Sequence, residues 1–240
     1  MNLSIILPIY NEAENIDKVI KIIELEVKIP HQLILVYDFD EDNTVPLIDK
    51  WQKKLKNIRL IKNNQGNKKG VVNAIKTGFK AVIGGAIVVT MADLSDDPKT
   101  INQMFEKIQQ GYDVVCASRY SKGGGKIGGP IIKSLLSKLS GLMTPSLLGI
   151  PTKDVTNALK MYTKKVLEAI KIESSGGFEL SMEIVIKAHN QGFKITEVPT
   201  IWRDRTTGES RFKILAWLPS YIHWYFWGIR KNLQRTINFK

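Results

Sequence analysis

The sequence is poor in residues that would announce several common chemistries. It holds one cysteine, Cys116, in 240 residues, which excludes an internal disulfide. Cys116 lies within Asp113-Val114-Val115-Cys116-Ala117 and reads as a small core residue. The three histidines, His31, His189 and His223, show no paired arrangement, and His189 falls in a helical pattern. No segment repeats internally. No glycine-lysine-serine/threonine run follows a strand and opens a helix, so the P-loop form of phosphate binding is excluded. The uncharged stretch 214–229 is 16 residues long and carries Pro219 and His223. A spanning helix needs about 20 apolar residues. Residues 3–8 are apolar but too short for a secretory leader and lack basic residues before them. With the lone cysteine, this leads us to expect a cytosolic setting. Acid is also scarce: 23 acidic against 35 basic residues give a net charge of +12. That excess points to an anionic partner, whether nucleic acid, membrane surface or phosphorylated substrate.

What is present is an ordered alternation. Leu3-Ser4-Ile5-Ile6-Leu7-Pro8 reads as a buried strand, and Ile16, Val19, Ile20 and Ile23 then recur at helical spacing. Asn11 and Glu14 have the spacing of a capping box. Strands are expected at 33–36, 58–61, 86–90, 113–118 and 194–198, and helices at 44–56, 70–82, 98–110 and 179–191. Such alternation implies parallel strands joined by right-handed crossovers, the α/β layer that often binds nucleotides. Hydrophobic content of 43% with 24% charged residues is that of an ordered globular chain.

The most informative stretch is Ile87-Val88-Val89-Thr90-Met91-Ala92-Asp93-Leu94-Ser95-Asp96-Asp97-Pro98. A β-branched run ends in a cluster of carboxylates at the carboxyl edge of the expected sheet, where open α/β sheets bind ligands. Carboxylates there suit a hard divalent cation holding a diphosphate. Asp97 is also placed to cap a helix opening at Pro98. Residues 121–129, Ser-Lys-Gly-Gly-Gly-Lys-Ile-Gly-Gly, read either as a flexible linker or as a mobile loop whose amides and lysines meet phosphates. The segment 212–229 concentrates Trp217, Tyr221, Trp224, Tyr225, Phe226 and Trp227 between Arg211, Lys213, Arg230, Lys231 and Arg235. Aromatic residues flanked by basic ones suit the headgroup zone of a bilayer. The alternative is amphipathic helices packed on the sheet.

Several stretches occur together in order: Pro8-Ile9-Tyr10-Asn11-Glu12, Asp38, Ala92-Asp93-Leu94-Ser95, Ser118-Arg119-Tyr120, Asp154-Val155-Thr156-Asn157, Glu197-Val198-Pro199, Asp204-Arg205 and Gly208-Glu209-Ser210. The set resembles the GT-A family 2 glycosyltransferases, and within them the polyprenyl (dolichyl) phosphate sugar synthases, over residues 3–212. The resemblance implies an α/β GT-A fold: a Rossmann-like, mostly parallel sheet flanked by helices, with C-terminal amphipathic aromatic helices. It implies a catalytic domain at 1–211 and a membrane-interface tail at 212–240. The expected activity is inverting transfer of a hexose from a GDP- or UDP-sugar to a polyprenyl phosphate. This would occur at an anionic membrane surface, peripherally on the cytoplasmic face. Mg²⁺ or Mn²⁺ is the implied cofactor, and nucleic acid is not an expected partner.

The same resemblance implies roles. Pro8, Tyr10 and Glu12 would border the nucleoside, with Asp38 on the base. Asp93 would hold the metal, with Ser95 and Asp96 as further metal-contacting candidates. Arg119, Arg205, Lys133 and Lys138 would meet donor or acceptor phosphates, and Arg211 is the basic residue after the Gly-x-Ser motif. One departure stands out. The family's Asp-x-Asp has Met91 in place of its first acid, and a thioether is a poor ligand for a hard cation. A lipid phosphate is already anionic, so transfer to it needs no base. The rival reading, transfer to a glycan hydroxyl, needs one, with Asp154 and Glu179 as candidates. A third reading is a non-catalytic nucleotide-sugar or nucleic-acid binding protein. Its basic charge fits, but the aromatics cluster in one apolar tail instead of interleaving with lysines.

Overall fold

Strand residues alternate between two buried layers, as a pleated strand covered on both faces requires. Ile6, Ile34, Val36, Ile87 and Val89 belong to one apolar cluster, and Ile5, Leu7, Leu33, Leu35 and Val88 to another. A computed structural model describes residues 1–63, 69–205 and 214–238. Chain order is β1 (Leu3–Pro8), α1 (Ala13–Glu26), β2 (His31–Tyr37), α2 (Val45–Lys54), β3 (Ile58–Lys62), α3 (Val71–Ala81), β4 (Ala86–Val89), α4 (Thr100–Gln109), β5 (Val114–Ser118), β6 (Gly125–Ile127), α5 (Ile131–Leu148), β7 (Lys160–Thr163), α6 (Lys164–Ala169), α7 (Glu179–Asn190), β8 (Ile195–Pro199), β9 (Ile201–Arg203) and α8 (Ile214–Asn238).

The main sheet has the order β3-β2-β1-β4-β7-β5-β8. All neighbours are parallel except β7, which runs antiparallel between β4 and β5. Helices α1, α2 and α4 cover one face, while α3, α6, α7 and α8 cover the other. The carboxyl ends of β1, β2, β4 and β5 therefore meet at one edge, and antiparallel β7 begins at that edge with Lys160. The strands and helices expected in the first half are present, with ends shifted by one or two residues.

Four local expectations are corrected. Helix α1 starts at Ala13 with no side-chain cap of its own, and Asn11 lies at φ 53°. The Asn11–Glu14 capping box is replaced by the β2–α2 loop: Asp42, Thr44 and Asn43 accept the backbone N–H groups of Asn11, Glu12 and Ala13. Helix α4 starts at Thr100, not Pro98, although Asp97 does accept the Lys99 N–H at 3.1 Å. The glycine-rich run is neither linker nor mobile loop along its whole length, since residues 125–127 form β6 and pair in parallel with β9. The C-terminal helices are one helix, α8, with Pro219 inside it.

Helix α5 was not foreseen, because Gly141 and Pro145 interrupt its pattern. Gly141 has a packing reason: a Cβ there would sit 1.8 Å from the Lys153 carbonyl oxygen. Helix α8 packs on α7 and α5. Trp224 is 5% exposed and donates from Nε1 to Ser174 Oγ at 3.1 Å, and Tyr225 donates to the Ser140 carbonyl at 2.8 Å. The expected 211/212 boundary falls outside the described residues, and the helix beyond it shares the core of residues 1–205.

Candidate active site

The strand ends open into a cleft of about 1140 Å³. Of the residues singled out from the sequence, Pro8, Tyr10, Glu12, Asp38, Asp93, Ser95, Asp96, Arg119 and Arg205 line it. Lys138 does not; it is exposed on α5. The side chain of Lys133, and all of Arg211 with the Gly208-Glu209-Ser210 motif, lie outside the described residues.

The β1 end supplies Pro8 and Tyr10, whose ring meets Phe39 edge-on at 5.1 Å between centroids. The β2 end supplies Asp38, which accepts Asn63 Nδ2 at 2.7 Å and the Gly70 N–H at 2.8 Å. It thereby ties the start of α3 to the sheet edge. Glu12 accepts Asn15 Nδ2 at 2.8 Å and pairs with Arg205 at 3.0 Å, joining the α1 end of the cleft to the segment after β9.

The turn after β4 is shaped by Leu94 at φ 61°, a left-handed conformation that costs a branched L-residue about 1–2 kcal/mol. It lets Asp93 accept the Ser95 N–H at 3.1 Å and brings Asp96 back onto Thr90 Oγ1 at 2.9 Å. Burial, and then the neighbouring Asp93 charge, push Asp96 up to about 6. Two carboxylates on one turn, the second raised by burial and by the charge of the first, offer hard oxygen donors to the cleft. Met91 lines the same cleft and adds no hard donor. Among the described residues no group of three or more His, Cys, Asp or Glu is placed to hold a metal. A divalent cation fits here only if substrate oxygens complete its shell, which Mg²⁺ commonly accepts.

Arg119, at the β5 end, is committed inside the protein. Its Nε donates to Asp154 Oδ2 at 2.7 Å, and its Nη2 to Asp154 Oδ1 and Ser137 Oγ at 2.8 Å each. Burial opposes its charge, but the Asp154 carboxylate outweighs that and raises its pKa. Asp154 is 0% exposed and also accepts the Arg119 and Asn157 N–H groups. Asp154 is therefore not a free base. Glu179, the other base candidate, is 1% exposed, bonds the Gly176 N–H at 3.0 Å and does not line the cleft. Beneath the floor, fully buried Lys160 donates to the Asn157 carbonyl, and burial above all lowers its pKa.

From the sequence Trp202 is missed, Lys126 is read only as one of the lysines of the glycine-rich loop and Asp204 only as the neighbour of Arg205; all three line the cleft. Their approach depends on β6 pairing with β9, a contact between distant segments with no local signature. The far wall is apolar: Leu136, Leu139 and Met143 of α5 and Ile222 and Phe226 of α8 line the cleft and are exposed.

A family model described as "Glycosyl transferase family 2" matches residues 4–171. A dolichol-phosphate mannosyltransferase of Pyrococcus furiosus is 31% identical over 218 residues, 89% of this chain. The chain spans only 60% of the length of that relative. A polyprenol monophosphomannose synthase of Mycolicibacterium smegmatis is 28% identical, covering 97% of this chain and 89% of its own. Among solved structures, glucosyl-3-phosphoglycerate synthase of Mycobacterium tuberculosis with Mn²⁺, UDP and phosphoglyceric acid superimposes with a TM-score of 0.67 at 16% identity. That alignment covers 96% of this chain and 78% of the other. The same enzyme with Mg²⁺ and UDP gives 0.65 at 17% identity, covering 96% and 79%. These likenesses bear out the α/β GT-A architecture.

Proposed function

The chain belongs to glycosyl transferase family 2 and is a glycosyltransferase, and from that premise we propose that it moves a hexose from a nucleotide diphosphate sugar to a polyprenyl phosphate at a membrane surface. The observation that carries this reading is the composition of the one cleft described above. Carboxylates and strand ends form one side, and an exposed apolar wall from α5 and α8 forms the other. A nucleotide sugar suits the first and a long hydrocarbon the second. The two curated relatives, named for transfer to dolichol phosphate and polyprenol phosphate, support the same acceptor.

In this reading Pro8, Tyr10 and Glu12 flank the nucleoside, and Asp38 meets its base. Asp93 and Asp96, with Ser95, would hold Mg²⁺ or Mn²⁺ near the diphosphate. That cation, when bound, offsets charge on the leaving group. A phosphate oxygen of the lipid attacks the anomeric carbon in line as the bond to the diphosphate breaks, inverting the configuration. No proton needs to be removed from the attacking oxygen. The commitment of Asp154 to Arg119 and the burial of Glu179 agree with a reaction that uses no base. The protein's work is positioning and charge balance, with Arg119 and Arg205 adding positive potential to the cleft.

The membrane-facing surface is read differently from the aromatic tail alone. Trp224 packs inward. Exposed large apolar residues concentrate on α5, including Ile131 at 85%, Ile132 at 70% and Leu135 at 65%, with Phe226 of α8 at 68% beside the cleft. Helix α5 contains no acidic residue. Among the described residues no helix is long and apolar enough to cross a membrane. We therefore assign the peripheral contact, on the cytoplasmic leaflet, mainly to α5, with α8 contributing Ile222, Phe226 and Leu233. Incubating purified protein with Mg²⁺ or Mn²⁺, polyprenyl phosphate and a panel of radiolabelled GDP- and UDP-sugars tests the reading. Label entering the lipid phase from one donor is expected. Label passing only to a water-soluble glycan would overturn it.

A further inference from the structure

Among the described residues four side-chain cations line the cleft: Lys69, Arg119, Lys126 and Arg205. Arg119 is held by Asp154 at 2.7 Å and Arg205 by Glu12 at 3.0 Å. Lys69 lies over the Phe39 ring at 5.5 Å, on the Tyr10 side of the cleft. Lys126 is different. It donates to the hydroxyl of Ser134 on α5 and lies over the Trp202 ring at 5.0 Å. Among the described residues it has no ion pair with a carboxylate. Its partners leave its charge without a counter-ion in contact.

Its position relative to α5 defines what it would bind. Ser134 stands just before the part of α5 where Leu136, Leu139 and Met143 line the cleft and are exposed. Nine residues of helix span about 13.5 Å, so a chain whose charged head sat at Lys126 would find roughly that length of apolar wall. Burial and, next, the Arg119 charge lower the Lys126 pKa, while Asp204 acts from a distance to raise it. A bound anion would relieve both opposing effects.

Resting on the reading of the cleft above, we propose that Lys126 is the residue that takes the phosphate of the lipid acceptor, with Ser134 beside it and α5 receiving the first isoprene units. Arg119, whose donors already serve Asp154, sets the potential around that phosphate. The strand is a suitable carrier: with β6 paired to β9, the lysine is fixed in a two-stranded sheet, and Gly124 and Gly125 before it carry no side chain.

The test is binding to the full chain by calorimetry, with farnesyl phosphate, farnesol and inorganic phosphate as probes, for the wild type, Lys126→Gln and Lys126→Arg. UDP and GDP with Mg²⁺ serve as donor-site controls, and the unfolding midpoint as a control for folding. Loss of one charge-assisted contact is expected to weaken farnesyl phosphate by about 10- to 100-fold in Lys126→Gln. Lys126→Arg should recover most of it, and farnesol and the nucleotides should bind as before. Unchanged farnesyl phosphate affinity in Lys126→Gln overturns the proposal. So does a loss shared equally by farnesol, a loss of nucleotide affinity in its place, or inorganic phosphate binding as tightly as farnesyl phosphate. Because the readout is binding, it separates two failures. A Lys126-dependent phosphate site without sugar transfer refutes the proposed reaction and leaves the site standing. Transfer to polyprenyl phosphate with Lys126-independent binding refutes the site alone.

Discussion

Replacing Asp154 with alanine should be the most damaging single change near the cleft that touches no substrate. The Asp154 carboxylate is 0% exposed and the Arg119 side chain 9%, so the variant strands a guanidinium in a buried setting. Breaking a buried pair by removing one partner costs about 3–5 kcal/mol. The N–H groups of Arg119 and Asn157 lose their acceptor as well, which moves the cost toward the upper end. For a chain of this size about 2–4 °C accompanies each kcal/mol, so the midpoint should fall by roughly 6–20 °C. Arg119→Met should cost less, because Asp154 keeps both backbone donors and sits near Thr156 Oγ1. The double variant should be more stable than the sum of the single losses implies, by at least about 1.5 kcal/mol. Thermal or urea unfolding of the four proteins measures this. Additivity within about 0.5 kcal/mol would show that the two groups do not act as a pair, and the assignment of Arg119 as a committed residue would fall with it.

Four further outcomes are expected. Asp93→Asn should keep the wild-type unfolding midpoint and lose about 100-fold or more in turnover, with a higher Mg²⁺ requirement; unchanged turnover would defeat the metal-site assignment. Leu139→Glu with Leu142→Glu, both leucines 53% exposed on α5, should weaken co-sedimentation with anionic vesicles at least about tenfold without lowering the midpoint. Trp224→Ala should do the reverse, costing about 3–5 kcal/mol of stability and leaving vesicle binding in place. Cys116, pushed up to about 11 by burial, should resist thiol reagents at pH 8 until the protein unfolds. A raised folded pKa means the native state holds this proton more tightly. Its contribution is therefore present below about pH 9 and lost as pH rises toward 11, and Cys116→Ala should flatten that part of the stability profile.

Much of the fold was legible because its parallel strands are continuous apolar runs. Leu3–Pro8 and Ala86–Val89 are buried on both faces, and Asp93 stands in the turn that follows the second of these. That the acids of the turn stand at the carboxyl edge of the sheet could be read from position alone, and Asp93 and Asp96 do line the cleft there. What was hidden depends on contacts between distant segments. Strand β7 has four residues and starts with a buried lysine, so only its insertion between β4 and β5 makes it a strand. The cap of α1 comes from residues 42–44, where no sequence spacing would place it. Helix α5 carries a glycine required by the Lys153 carbonyl, which reads locally as a breaker. The tail's aromatic composition suggested a bilayer, yet Trp224 and Tyr225 use their polar tips on Ser174 and Ser140. Composition cannot separate these two uses of an aromatic side chain, because both bury an apolar body and satisfy one polar atom.

In the proposed reaction the attacking group is an anionic phosphate, which needs no base. A side-by-side transfer assay with polyprenyl phosphate and the corresponding polyprenol, at equal concentration and with the same nucleotide sugar, tests this. Transfer to the phosphate and none above background to the alcohol is expected. Comparable transfer to the alcohol would contradict it, since a base would then have to act where the structure holds Asp154 in an ion pair and Glu179 out of the cleft.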